Sequence, residues 1–176
     1  MRLFATLIFF LSVGCIYLPS CQSNIALTGK VKSPSFDKEI SSLLSFNIPA
    51  LSVKEAKQIP DAIYLDARES NEYIVSHIPG ATWIGSDHWM PQTLQSVSKE
   101  QSIIVYCSVG YRSEKIATKI KALGYQRVYN LYGSIFESAN EGNSLVNNDG
   151  QPTKELHTYN KKWSKWVTNP GIQKIW

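Results

Sequence analysis

Strand and helix patterns alternate along the middle of the chain, and this alternation constrains the fold more than any other sequence feature. The strongest strand pattern is the β-branched, apolar run Ser102–Tyr106, and an amphipathic helix pattern follows over Ser113–Leu123 and ends at Gly124. Shorter patterns predict a strand entering a helix over 53–59, strands over 62–65, 81–84 and 127–131, and helices over 70–75 and 134–139. Short connections between such elements predict one α/β domain with a mainly parallel central sheet and helices on both faces.

The first 21 residues have the features of an export signal. Arg2 is followed by the uncharged, largely apolar run Leu3–Leu18. At about 1.5 Å per residue this run makes roughly 24 Å of helix, which is shorter than the ~30 Å hydrocarbon core of a membrane. A cleaved secretory signal is therefore expected. Such a segment can be a lipoprotein signal, and the alternatives are a plain cleaved signal and an uncleaved anchor.

The end of this segment, Leu18-Pro19-Ser20-Cys21, resembles the cleavage box of bacterial lipoproteins. The resemblance implies that residues 1–21 are a signal peptide cut before Cys21, which then carries the lipid. It also implies an exported protein that is attached to the membrane and faces the periplasm, at the outer membrane if the source is Gram-negative.

The remaining chain divides into three parts by composition. Residues 22–49 are rich in Ser, Asn and Lys and predict a tether, residues 50–146 carry the α/β pattern, and residues 147–176 form a basic, aromatic tail. In the tail, Tyr159, Trp163, Trp166 and Val167 recur at helical spacing beside lysines. This pattern fits either packing of the aromatic face on the domain or an interfacial helix on anionic lipid.

The distribution of charge excludes a basic nucleic-acid-binding core. The formal net charge is +4, but residues 151–176 contain five Lys and one Glu, whereas residues 22–150 contain 12 basic and 13 acidic residues. The body of the protein is therefore almost neutral, and no nucleic-acid partner is expected.

Cys107 is the candidate nucleophile. Of the three cysteines, Cys15 leaves with the signal and Cys21 is the expected lipid site, so Cys107 has no disulfide partner. It follows a buried strand and precedes a helix, where unpaired backbone N–H groups and the helix dipole favour a thiolate. Arg112 adds a positive charge with a fork suited to an oxyanion, and Gly110 permits a positive φ in a loop around an anion.

These residues belong to a set of motifs that resembles the rhodanese family of single-domain sulfurtransferases, over about residues 50–142. The motifs are Tyr64-Leu65-Asp66-Ala67-Arg68 with Glu72-Tyr73, His77-Ile78-Pro79-Gly80-Ala81, Cys107 to Arg112 with Ser113, and Val128-Tyr129-Asn130-Leu131 with Gly133 to Gly142. The resemblance implies a five-stranded parallel sheet and an active cysteine on a loop of backbone N–H groups. The substrate-binding residues it implies are Ser108, Val109, Gly110, Tyr111 and Arg112.

The resemblance also implies a reaction. Cys107 takes a sulfane sulfur from thiosulfate or a related donor, becomes a persulfide, and passes the sulfur to a thiol acceptor. The loop from Cys107 to Arg112 has six residues, whereas related phosphatases have one more, which favours sulfur over phosphate chemistry. Because Arg112 alone is charged within the loop, the expected donor is less anionic than thiosulfate or carries a thiol.

Other interpretations remain open at this stage. A binding module without catalysis, a thiol redox module at the cell envelope and a phosphatase or arsenate-reducing relative are the alternatives. Asp66 and Arg68, with one residue between them, are expected to brace the loop by hydrogen bonds. His77, His88 and His157 lack metal-ligand spacing, and no nucleotide-binding glycine loop occurs. Neither a metal nor a cofactor is expected.

Overall fold

A computed structural model describes residues 29–176 of the chain. The expected signal peptide 1–21, the expected lipid site Cys21 and residues 22–28 lie outside the described residues. Among residues 29–176, no helix is both long enough and apolar enough to cross a membrane.

A five-stranded, entirely parallel sheet forms the centre of the protein. Its strands are β1 (Ala50–Leu51), β2 (Ile63–Asp66), β3 (Thr82–Trp83), β4 (Ser102–Tyr106) and β5 (Arg127–Leu131), in the order β1-β5-β4-β2-β3. The helices are α1 (Pro34–Leu43), α2 (Val53–Ala56), α3 (Ser70–Val75), α4 (Tyr111–Ala122) and α5 (Ser134–Asn140), with short 3-10 helices at Pro91–Leu94 and Trp163–Trp166. The predicted α/β class and parallel sheet are confirmed.

Strand β4 lies in the middle of the sheet and is buried along its whole length. Its side chains alternate between two hydrophobic clusters, because successive residues of a strand point to opposite faces. Ile103 and Val105 pack with Ile116 and Ile120 of α4, while Tyr106 packs on the other face with residues of α1, α2 and α5. Helices on both faces therefore bury the strand that leads to Cys107.

The first predicted strand is corrected by the structure. The pattern at 53–59 indicated a strand entering a helix, but β1 lies earlier and Val53–Ala56 is already helical. A capping box explains the early start. The Glu55 N–H donates to Ser52 Oγ at 3.2 Å, and the Ser52 N–H donates to the Glu55 carboxylate at 2.7 Å.

The described part of the expected tether is a folded element instead. Residues 34–43 form α1, and Phe36 and Ile40 are fully buried in the core. Ser33 caps the helix by accepting a hydrogen bond from the Phe36 N–H at 3.3 Å. Residues four positions apart lie on one helix face, so Phe36 and Ile40 attach this segment to the domain together with the flanking residues Val31 and Leu44, which are buried in the same cluster.

The C-terminal tail also packs on the domain. Two short strands, β8 (Glu155–His157) and β9 (Gln173–Ile175), pair in parallel, and a hairpin of β6 (Leu145–Val146) and β7 (Pro152–Thr153) precedes them. Leu156 and Val167 are fully buried. The ring of Trp166 stacks on that of Phe36 with centroids 5.2 Å apart. Trp163, Trp166 and Val167 therefore pack on the domain, as the packing interpretation predicts, whereas Tyr159 is exposed. The two segments outside the α/β pattern contact each other.

Phe36→Ala should lower the free energy of unfolding by about 3–5 kcal/mol, because it removes a fully buried ring and leaves a cavity. Urea denaturation of the purified protein measures this change. Lys38→Ala, on the exposed side of the same helix, serves as control and should change stability by less than about 0.5 kcal/mol. Equal effects of the two substitutions would show that α1 does not belong to the cooperative fold.

Candidate active site

Cys107 lies at the carboxyl end of β4, where a short loop leads into α4. The loop ends at Gly110, which has a φ of 126° and is the N-cap of the helix. A side chain at this φ is strained, so glycine is required to direct the loop N–H towards the sulfur. The Gly110 N–H donates to Cys107 Sγ at 3.2 Å.

Helix α4 begins two residues earlier than the sequence pattern indicated. It begins at Tyr111, not Ser113, so Tyr111 and Arg112 belong to its first turn. The amphipathic pattern did not reveal this start because neither residue carries an apolar side chain into the core. As a consequence, Arg112 is held on a regular helix close to Cys107 instead of on a free loop.

The loop backbone is held by the start of α5. The Cys107 N–H donates to Ser134 Oγ at 3.1 Å, and the Cys107 carbonyl accepts from the Ile135 N–H at 3.2 Å. The Ser108 carbonyl accepts from the Phe136 N–H at 3.3 Å. Although Cys107 is the first residue of this loop, it is only 1% exposed.

The environment of Cys107 favours its thiolate. Burial raises the pKa of the thiol, but the charge of Arg112 and hydrogen bonds from Ser113 and Gly110 outweigh burial, and the pKa lies below its ordinary value. The thiolate is the nucleophilic form of cysteine, so this shift prepares the sulfur for attack.

Asn130 of β5 positions two of the groups around the sulfur. Its side-chain N–H donates to the Gly110 carbonyl at 3.0 Å, and its amide oxygen accepts from Ser113 Oγ at 2.7 Å. Ser113 Oγ lies 3.5 Å from Cys107 Sγ. The hydroxyl can therefore turn from Asn130 to the sulfur when the thiolate forms.

Arg112 is paired with Glu72 of α3. Its Nη1 and Nη2 donate to the two carboxylate oxygens at 2.5 and 2.9 Å, and Nη2 also donates to Ser108 Oγ at 3.0 Å. Burial raises the pKa of Glu72, but the hydrogen bonds and charge of Arg112 outweigh it and leave the pKa below its usual value. The expected fork for a substrate oxyanion is thus already occupied, and Arg112 supplies Cys107 with a neighbouring charge.

Asp66 and Arg68 form a fully buried ion pair of 2.6 Å. The Arg68 guanidinium also donates to the Ser76 carbonyl at 2.6 Å. Neither side chain hydrogen-bonds to residues 107–112 within the described part of the chain. The expected bracing of the loop is therefore indirect: the pair ties β2 to the end of α3, which carries Glu72.

A pocket of about 270 Å³ opens above Cys107. Four of the five residues expected from the sequence to bind substrate line it together with Cys107, namely Ser108, Val109, Tyr111 and Arg112, while Gly110 acts through its N–H. Its other walls are Leu43, Tyr159 and Trp163. Since Cys107 is nearly buried, this pocket is the route by which a reactant reaches the sulfur.

Several residues of this site were not evident from the sequence. Glu72 stood in a motif without an assigned role, and Asn130 is a polar residue in an otherwise apolar strand pattern, which was a detectable signal. Leu43 lay in the expected tether. Tyr159 and Trp163 were considered for packing or lipid contact but not for the pocket, since no local pattern connects them to Cys107.

A model of the rhodanese-like domain family matches residues 50–141. The chain belongs to the rhodanese-like domain family. The fold and the placement of Cys107 at the end of β4 agree with the resemblance in the sequence, and the matched region contains the sheet, the loop and Glu72.

Similar proteins match this rhodanese-like chain only in part. A tRNA uridine(34) hydroxylase from Salmonella newport (strain SL254) is 32% identical over 114 residues, which are 62% of this chain and 32% of that protein. One from Enterobacter sp. (strain 638) is 33% identical over 97 residues, or 52% of this chain and 28% of that protein. The chain thus spans about a third of the length of the curated relatives it matches.

A solved structure has the same fold. It is a thiosulfate sulfurtransferase from Pseudomonas aeruginosa with a TM-score of 0.51 and 20% identity, covering 68% of this chain and 23% of that one. At this identity the likeness shows the rhodanese fold alone.

Arg112→Met should raise the pKa of Cys107, because it removes the positive charge that stabilises the thiolate. In protein with Cys15→Ser and Cys21→Ser, the rate of alkylation by iodoacetamide rises with the thiolate fraction, so its midpoint should move to higher pH. Arg127→Met, at an exposed arginine of β5, should leave the midpoint unchanged.

The substitution also leaves Glu72 buried without its partner, which should cost about 3–5 kcal/mol of stability. The double variant Glu72→Gln/Arg112→Met should regain part of the lost stability, because no buried charge is left unpaired. Its alkylation midpoint should stay at the higher pH. An unchanged midpoint in both variants would show that Arg112 does not lower the pKa of Cys107.

Proposed function

We propose that the protein is a sulfurtransferase that carries a sulfane sulfur on Cys107. The observation that carries this proposal is the position of Cys107 Sγ at the base of a pocket, 3.2 Å from the Gly110 N–H donor and beside the first turn of α4. A buried sulfur with a lowered pKa and one open approach suits a displacement reaction at sulfur.

In the first step, the Cys107 thiolate attacks the outer sulfur of the donor. A bond forms between Sγ and that sulfur while the donor's own bond to it breaks. The bonding electron pair leaves on the remainder of the donor, as sulfite from thiosulfate or as a sulfinate from a thiosulfonate. Cys107 becomes a persulfide whose negative charge lies on the outer sulfur, within the pocket.

In the second step, an acceptor thiolate attacks the outer sulfur of the persulfide. The bond between the two sulfurs of Cys107 breaks, and its electron pair returns to Sγ. The Gly110 N–H and the Ser113 hydroxyl stabilise the regenerated thiolate. The two steps transfer one sulfur atom without net oxidation or reduction, so they require neither a metal nor a cofactor.

The charge of the site supports sulfur transfer over phosphate ester hydrolysis. Glu72 neutralises Arg112, and no other lysine or arginine among residues 29–176 lines the pocket to bind a dianion. The hydroxylation in the names of the curated relatives is not included in the proposal, since the chain spans 32% of such a protein.

Cys107→Ser should abolish sulfur loading. Full-length protein with Cys15→Ser and Cys21→Ser should gain the mass of one sulfur atom after exposure to a thiosulfonate or a persulfide donor. Cyanide should then remove this sulfur as thiocyanate. Intact-mass spectrometry measures both steps, and the same protein with Cys107→Ser is the control. If no donor adds sulfur, Cys107 serves a redox or binding role in place of sulfur transfer.

We also infer that the protein is exported and lipid-anchored at Cys21, as the Leu18-Pro19-Ser20-Cys21 sequence supports. Cells grown with an alkyne fatty acid should label the protein, and Cys21→Ala should lose the label. Cys15→Ala is the matched control, because it also replaces a cysteine by alanine, six residues upstream. This variant should retain the label. Label retained in Cys21→Ala would exclude lipidation at that residue.

A further inference from the structure

The outer walls of the Cys107 pocket come from segments outside the region that matches the rhodanese family. Leu43 is the last residue of α1, and Tyr159 and Trp163 belong to the C-terminal tail. We propose that these three side chains bind the apolar organic group of the donor, which is bonded to the sulfur that leaves as a sulfinate or a thiolate, so that organic thiosulfonates and persulfides react in preference to thiosulfate. This inference rests on the proposed sulfur transfer and assigns its substrate class.

The chemistry of the walls favours such a group. Leu43, Val109, Tyr159 and Trp163 present apolar surface to the pocket, and the charge of Arg112 is balanced by Glu72. A dianion such as thiosulfate would lose its hydration there without gaining an unpaired cation. A hydrocarbon group would instead gain from leaving water, as apolar surfaces do when they are buried.

Tyr159 is held at the pocket by its backbone. It has a φ of 66°, which is uncommon for a residue other than glycine and is concentrated at functional sites. Its N–H donates to His157 Nδ1 at 3.1 Å. The Tyr159 ring lies 5.3 Å from the guanidinium carbon of Arg112, and the residue is 54% exposed. A large aromatic ring thus lies beside the loop that carries Cys107, on a backbone held in one conformation, with one side open to solvent.

Trp163 and Leu43 are fixed by a contact between their two segments. The 3-10 helix Trp163–Trp166 carries Trp163 at the pocket and Trp166 on the ring of Phe36. Phe36 in turn anchors α1, whose C-terminal residue is Leu43. The two flanking segments therefore support each other and present a preformed apolar surface above Cys107, which reduces the ordering cost of binding.

The test compares two donors with the same reacting group. Benzenethiosulfonate and methanethiosulfonate both give Cys107 persulfide and a sulfinate, and they differ in their apolar group. The full chain with Cys15→Ser and Cys21→Ser, in phospholipid nanodiscs, provides kcat/KM for each donor with a thiol acceptor. Each value is divided by the rate of that donor with free glutathione, which corrects for intrinsic reactivity.

The corrected kcat/KM for benzenethiosulfonate should exceed that for methanethiosulfonate roughly tenfold, as expected when one phenyl group is partly buried. Tyr159→Ala and Trp163→Ala should each lower this ratio towards one, while Trp163→Phe, which keeps an apolar ring, should retain most of it. Trp176→Ala is the matched control, since Trp176 lies in the same tail, is 58% exposed and does not line the pocket. Its ratio should equal that of the parent protein.

The failures of the two proposals are distinguishable. If methanethiosulfonate loads Cys107 but the corrected ratio is near one, or if Tyr159→Ala leaves the ratio unchanged, the proposed wall is wrong and sulfur transfer stands. Because Tyr159 is well exposed, Tyr159→Ala should fold, and it remains informative even if Trp163→Ala unfolds. If no donor loads Cys107, sulfur transfer is wrong and the assignment of its substrate class falls with it.

Discussion

The paired hydrogen bonds between Glu72 and Arg112 join α3 to the first turn of α4, and the candidate active site depends on them. They hold a positive charge next to Cys107 and place Ser108 Oγ within reach of both partners. The buried pair of Asp66 and Arg68 fixes the end of α3, the helix that carries Glu72. A fully buried ion pair and a partly buried one thus give the thiolate a fixed electrostatic environment.

The same pairing limits what the site can bind. Because the guanidinium of Arg112 is satisfied by a carboxylate, it lowers the pKa of Cys107 without offering an unpaired cation to a strongly anionic reactant. The remaining pocket surface is mostly apolar. It comes from Val109 and Tyr111 and from Leu43, Tyr159 and Trp163 of the flanking segments. The rhodanese-like core therefore holds Cys107, the candidate reactive residue, and the flanking segments form the outer walls of its pocket.

The local parts of the structure could be read from the sequence. The run Ser102–Tyr106 became β4, and the predicted spans 70–75 and 127–131 agree with α3 and β5. These elements follow from side-chain periodicity and from turn residues nearby in the chain. Local patterns failed where a short polar segment has only two buried residues, as in α1, or where a capping box starts a helix early, as in α2.

The sequence by itself determined the fold class, the family motifs and the candidate nucleophile, since a lone cysteine between a buried strand and a helix is a local pattern. Only the tertiary structure decided which groups surround that cysteine. Glu72 lies 40 positions from Arg112, and Tyr159 and Leu43 belong to opposite ends of the described chain. Such contacts depend on how distant elements pack against one sheet, and periodicity along the chain carries no information about that packing.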